Sequence, residues 1–101
     1  MRRGEVWWAS LPIGRRPVVV LTRDAAIPLL TAITVAPATT RVRGVPTEVP
    51  LGKSDGMPAP SVVTLDNIQL VPKRALRRRI SSLSASRLDQ ICEALTYALG
   101  C

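Results

Sequence analysis

A β-branched apolar run, Val18-Val19-Val20-Leu21, stands directly behind Arg15-Arg16-Pro17, and this juxtaposition restricts the chain more than any other segment. Three consecutive valines suit a strand buried on both faces, because branched side chains lose freedom in a helix and pack well on a pleat. Proline fixes the backbone at the entry and removes a donor. A strand over Val18–Thr22 is expected, with two permanent cations, Arg15 and Arg16, at its mouth. Upstream, Glu5–Ser10 reads as a second strand carrying the pair Trp7-Trp8, and Leu11-Pro12-Ile13-Gly14 supplies a tight connection that makes the two a hairpin.

Short strands and turns continue to about residue 80. Arg23–Ala26 reads as a turn or short helical excursion, and Thr31–Ala36 as a strand that Pro37 ends. Arg41-Val42-Arg43-Gly44 is a loop, after which Thr47-Glu48-Val49 alternates as an edge strand does between Pro46 and Pro50. Gly52–Pro60 is the clearest loop, since Gly and Pro recur through it. Ser61–Leu65 forms a further strand, which Ile68–Leu70 extends after a kink at Asp66-Asn67. One helical turn at Lys73–Leu76 leads to a last strand at Arg77–Ile80. Strands this short and this closely spaced imply a small barrel or a strongly coiled sheet. The period then changes: Leu88, Ile91, Cys92, Leu95, Ala98 and Leu99 define one apolar face of a helix, with Ser84 as its N-cap and Gly100 as its stop. That helix packs on the barrel or on a second subunit. The whole is read as one domain, residues 1–101.

Charge narrows the partner class. Fourteen Lys and Arg against seven Asp and Glu give a net charge of +7, and all the cations except Lys53 and Lys73 are arginine. The guanidinium fork donates two hydrogen bonds to one phosphate and keeps its charge in any setting. Nucleic acid is thus the leading partner, an acidic protein segment the second, and a merely solvated basic surface the bland reading. No apolar stretch approaches the roughly 18 residues of a membrane span, and no signal-peptide pattern follows the N-terminal arginines, so a cytoplasmic location is expected. Cys92 and Cys101 make no disulfide framework and are expected to be reduced. With no histidine in the chain, a zinc site is excluded, and no metal or other cofactor is expected.

Catalytic equipment is sparse. There is no Gly-rich phosphate loop, no nucleophile elbow and no carboxylate cluster to hold magnesium. What remains is arginine beside hydroxyls: Arg15 and Arg16 at one strand, Thr39-Thr40-Arg41 after Pro37 at another, so that the two can meet at one edge of a barrel. Such a pair binds a phosphate and stabilises charge developing on it. RNA suits this equipment because its own 2′-hydroxyl attacks the adjacent phosphorus. A base is the missing part, and Asp66 is the candidate. Trp7 and Trp8 point to opposite faces of their strand, one toward the core and one outward, where an indole can stack on a base. In Arg77-Arg78-Arg79 the alternation sets Arg78 opposite its neighbours, on a solvated or phosphate-steering face.

Taken in order, Arg2–Pro12 with its Gly-Glu-apolar-Trp opening, Arg15–Asp24 with its Arg-Pro-Val-Val-Val strand, Val35–Leu51 with its Pro37-Ala38-Thr39-Thr40 turn, Val62–Lys73 and Arg77–Leu95 resemble the MazF/PemK toxins of type II toxin–antitoxin systems along almost the whole chain. The resemblance implies an SH3-like barrel with a C-terminal helix, a homodimer, and metal-independent cleavage of single-stranded RNA at short sequence motifs to 2′,3′-cyclic phosphate and 5′-hydroxyl ends. It further implies an antitoxin whose acidic disordered tail covers the RNA groove. By position, Arg16 stabilises the pentacoordinate phosphate or protonates the leaving oxygen, Thr39 holds the phosphate, and Asp66 is the base. Arg15, Thr40, Arg41, Trp8 and Asn67 are the expected RNA-binding residues. Two departures stand out. Thr64 occupies a position where some members have arginine, and the first loop lacks the longer Gly-Ser-Glu-Gln-like stretch of most members. Two further readings use the same barrel: a CcdB-like toxin that binds gyrase, and an RNA-binding module without catalysis.

Overall fold

The computed structural model describes residues 1–101. Seven strands, β1 (Glu5–Leu11), β2 (Gly14–Val20), β3 (Ala32–Thr39), β4 (Glu48–Leu51), β5 (Ser61–Thr64), β6 (Gln69–Pro72) and β7 (Leu76–Ser82), precede one helix, α1 (Ala85–Leu99). All pairings are antiparallel, in the order β4-β5-β3-β2-β1-β7, with β6 also on β3. The sheet coils into a barrel of the SH3-like kind whose end strands, β4 and β7, do not hydrogen-bond to each other. No helix is long and apolar enough to cross a membrane.

The expected first hairpin is present, and it corrects the position of the arginine pair. A two-residue turn, Pro12-Ile13, lets Gly14 face Leu11, so pairing starts there and runs through Ser10↔Arg15, Ala9↔Arg16 and Trp8↔Pro17. The arginines lie inside β2, not at its mouth. β3 joins β2 only from Val18 onward, pairing it with Pro37. The stretch Gly14–Pro17 is therefore paired on the β1 side alone.

Pro37 does not end β3. One edge of β3 pairs with β2 over Val35–Pro37; elsewhere it pairs with β6 over Ala32–Val35 and with β5 over Ala38–Thr39. Pro37 stands at the changeover from β6 to β5, where a residue without an N–H interrupts least. For the same reason Ile68–Leu70 does not extend the preceding strand. A short 3-10 turn, Leu65–Asn67, separates β5 from β6, and the two contact different stretches of β3. The edge strand predicted at Thr47–Val49 is found one residue later, and Pro50 is tolerated within it because β4 pairs only with β5.

The sheet buries apolar side chains on both sides. Val6, Val19, Ala36, Ala38, Val63 and Leu65 pack with Ile91 and Ala94 of α1, so the helix covers this barrel and the alternative left open by the sequence is resolved in its favour. Ala9, Val18, Val20, Ile33, Val35 and Val71 form the second cluster. Alternation along β2 sends Val19 into the first cluster and Val18 and Val20 into the second. Each fully buried Val or Ile contributes about 1.5–3 kcal/mol relative to exposure. Ser84 caps α1 by accepting from the Arg87 amide at 3.2 Å, and Gly100 ends it at φ +70°.

Two carboxylates hold the barrel's open seam and its N-terminus. Asp55 accepts from Arg87 Nε at 2.9 Å and from the Gly52 amide at 2.8 Å, while its backbone carbonyl accepts from Ser81 Oγ at 2.8 Å. The loop after β4 is thereby tied to β7 and α1. Next to it, Gly56 has φ +81°, and a Cβ there would lie 2.6 Å from Ser81 Cβ. Glu5, 5% exposed, accepts from the Arg2 amide at 2.8 Å, Trp7 Nε1 at 3.0 Å and Arg79 Nη1 at 3.2 Å. This explains the Gly-Glu-apolar-Trp opening physically: the carboxylate and the indole are two apart on one face of β1. Trp7 is accordingly half-buried and so is Trp8, against the expectation of one core and one exposed ring.

Gly56→Ala combines a left-handed backbone with a clash and is expected to cost about 2 kcal/mol or more, read as a lower denaturant midpoint with unchanged slope. Burial pushes the Glu5 carboxyl up, but its hydrogen bonds to Trp7, Arg2 and Arg79 and the nearby N-terminus outweigh this and lower its pKa. A depressed folded-state pKa stabilises fully above the unfolded value of about 4.3 and is lost as pH falls through the folded value. Glu5→Gln is expected to lower stability at pH 7 and to flatten its decline below about pH 4.3, measured by urea titrations across that range.

Candidate active site

The split between β5 and β6 on β3 opens a cleft of about 660 Å³. Its floor and walls include Arg16, Pro37, Thr39, Thr64, Asp66, Asn67 and Gln69, with Arg41, Arg43 and Glu48 from the loop between β3 and β4. Arg16 reaches it because it lies on the same face of β2 as Val18 and Val20 but beyond Val18, where pairing with β3 stops. The side chain is half-buried and has no carboxylate partner. Its charge is thus free for a ligand.

Thr39 ends β3. Its Oγ1 accepts from the Arg41 amide at 3.2 Å, which orients the hydroxyl and leaves its proton to donate into the cleft. Asp66 sits in the turn between β5 and β6, exposed, with one carboxylate oxygen accepting from the buried Thr47 hydroxyl. The other oxygen has no partner in the protein. Thr64 is committed to structure: its Oγ1 donates to the Pro37 carbonyl at 3.2 Å and accepts from Asn67 Nδ2 at 3.4 Å. It staples β5 to β3 beside the proline.

Glu48 was not singled out by the sequence, where it read as one residue of an alternating strand. Its two oxygens accept from the Arg43 amide at 3.0 and 3.2 Å, and Oε1 accepts from the Gly44 amide at 2.8 Å. It folds the loop back so that Arg41 and Arg43 face the cleft. Gln69 was missed as well, and nothing in its sequence setting distinguishes it. Of the two carboxylates in the cleft, Glu48 is fully engaged and Asp66 half free. No group of three or more His, Cys, Asp or Glu side chains lies close enough to hold a metal ion.

Of the expected residues, Arg16, Thr39, Asp66, Arg41 and Asn67 share the cleft. Thr40 is exposed in the loop outside its lining, and alternation along β2 sends Arg15 to the opposite face. There the Arg15 guanidinium lies over the Trp8 ring, 5.1 Å from its centroid. Both cysteines are free thiols; Cys92 accepts from Arg3 Nη2 at 3.0 Å and Cys101 is exposed.

Comparison with known proteins agrees with this architecture. Residues 2–99 match the family model for PemK-like, MazF-like toxins of type II toxin–antitoxin systems. A probable endoribonuclease MazF5 of Mycobacterium tuberculosis is 50% identical, over 98% of this chain and 93% of that protein. The solved structure of the M. tuberculosis toxin MazF-mt6 superposes with a TM-score of 0.90 at 44% identity, covering 95% of this chain and 96% of the other. A mycobacterial endoribonuclease in complex with its cognate antitoxin gives 0.92 at 28% identity, covering 99% and 95%.

Proposed function

This chain belongs to the PemK/MazF family of type II toxin–antitoxin toxins and is an endoribonuclease, and we propose that it cleaves single-stranded RNA, without a metal ion, by directing the substrate's 2′-hydroxyl onto the adjacent phosphorus. The observation that carries this reading is the convergence of Arg16, Thr39 and Asp66 on one cleft. Asp66, through its unpartnered oxygen, takes the 2′-hydroxyl proton as the O2′–P bond forms. Arg16 and the Thr39 hydroxyl hold the non-bridging oxygens, whose negative charge grows in the pentacoordinate state, so that the guanidinium stabilises that state more than the ground state. The P–O5′ bond then breaks toward Arg16, and O5′ leaves as a hydroxyl with a proton from solvent. The products are a 2′,3′-cyclic phosphate and a 5′-hydroxyl. Arg41 and Asn67 steer the flanking nucleotides.

In this reading residues 1–101 act as one toxin unit in the cytoplasm, as a homodimer, where cutting RNA stops translation and growth. The antitoxin is an acidic segment, disordered when free, that folds over the basic cleft and competes with RNA. A gyrase-directed toxin has no need of a phosphate-directed Arg–Thr pair beside a half-free carboxylate.

Purified protein is expected to cut a mixed-sequence single-stranded RNA in EDTA. Arg16→Ala should lower kcat by at least about 100-fold with an unchanged circular dichroism spectrum; an intact RNA with wild-type protein, or an active variant, refutes the assignment. Thr47→Val removes the hydrogen bond that orients Asp66 and is expected to reduce kcat roughly five- to tenfold with little change in KM. Thr47→Ser, which keeps the hydroxyl, should restore the rate in the same assay.

A further inference from the structure

Arg15 and Arg16 lie on opposite faces of β2, yet both belong to the stretch Gly14–Pro17 that β1 pairs and β3 does not. A strand leaving the cleft at Arg16 can therefore pass over an open backbone edge and meet Arg15 directly. What it meets there is more than a lone cation. Trp8 is opposite Pro17 on β2 and opposite Arg78 on β7, and Arg15, two residues before Pro17, is its diagonal neighbour on the same face. The half-buried indole is thus bracketed by two exposed arginines, one on each adjacent strand. The ion pairs of the molecule involve only the N-terminus, Arg79 and Arg87. Neither Arg15 nor Arg78 has an acidic partner.

We propose that Trp8, Arg15 and Arg78 form a second RNA subsite, which binds a nucleotide flanking the cleaved bond after the strand has crossed the β2 edge. This rests on the RNA-cleavage reading above and extends it to the far face of the hairpin. The Arg15 guanidinium, lying 5.1 Å from the indole centroid, is pre-positioned by the ring's electron-rich face. An unpaired base stacks on this guanidinium–indole pair, as bases do on aromatic rings and arginine planes alike. The edge N–H groups of Arg15 remain free for the phosphate on the cleft side, and Arg78 takes the next one. An aromatic ring between two unpaired cations at strand spacing fits the alternation of base and phosphate in a single strand. An acidic peptide would use the cations and leave the guanidinium–indole pair without a planar group stacked on it.

The chain contains two tryptophans, so Trp7→Phe leaves Trp8 as the sole indole reporter. In the Trp7→Phe/Arg16→Ala protein, which does not cut, a mixed-sequence 20-nucleotide RNA is expected to quench Trp8 fluorescence. In the Arg16→Ala background, Trp8→Ala is expected to weaken binding of that RNA at least about fivefold. Arg78→Ala should reduce the slope of log affinity against log salt by about one contact. In the cleaving protein Arg78→Ala should raise KM. Unquenched Trp8 with an unchanged Arg78→Ala salt slope overturns the subsite, even if wild-type protein cuts RNA. Quenching by an acidic peptide but not by RNA also overturns it and assigns the row to a protein partner. If Trp7→Phe does not fold, the salt slope and the Trp8→Ala affinity decide alone. Failure of the wild-type protein to cut any RNA in EDTA is a separate result and tells against the parent reading.

Discussion

β3 pairs with three strands, and the residue at its changeover is a proline. With β6 on its first half and β5 on its last two residues, β3 holds apart two strands that follow each other in the chain, and the turn joining them has to stand out from the sheet. Asp66 and Asn67 are that turn. The cleft is what the split leaves open, and beside it Thr64 bonds the Pro37 carbonyl and ties β5 to β3. Pro37, read from sequence as a stop, is better understood as the residue that makes the changeover inexpensive, since it has no N–H to leave unpaired.

The scarce acids explain how a basic chain keeps its cleft cationic. Glu5 and Asp55 are spent on the N-terminus and on the seam between the β4 loop, β7 and α1. Glu48, though in the cleft, is turned to two backbone amides and acts on the loop that carries Arg41 and Arg43. None of the three approaches Arg16 as an ion-pair partner. An arginine without an ion-pair partner in a half-buried setting is a standing attraction for a phosphate. The same economy leaves Arg15 and Arg78 unpaired on the other face, beside Trp8.

Local chemistry was legible in the sequence where a single residue type has one physical use. The helix, its Ser84 cap and Gly100 stop, the Pro12-Ile13 hairpin and the C-terminal strand through Arg77–Ile80 were all readable from period and turn chemistry. Strand partnership was not. Nothing in Ile68–Leu70 says that it pairs with Ala32–Val35 and not with the neighbours of Ser61–Thr64, because pairing is a non-local choice made by the whole sheet. The site divides the same way. Arg16, Thr39 and Asp66 could be named by their chemistry and by resemblance to a family, while Glu48 and Gln69 entered the cleft only through loop closure and sheet pairing. Arg15 shows the limit most plainly, since adjacency to Arg16 suggested a shared role and the period of two sends it to the opposite face.

Nucleophilic attack by the substrate's own hydroxyl is the central claim, and a single atom tests it. A short RNA containing a mapped cleavage site is synthesised with a 2′-deoxy nucleotide immediately 5′ of the scissile phosphate and incubated with wild-type protein in EDTA. Cleavage at that bond is expected to disappear while binding to the oligonucleotide persists, and the unmodified RNA is expected to end in a 2′,3′-cyclic phosphate. Cleavage of the deoxy-substituted bond at the normal rate would contradict it, because the nucleophile would then have to come from water or from the protein.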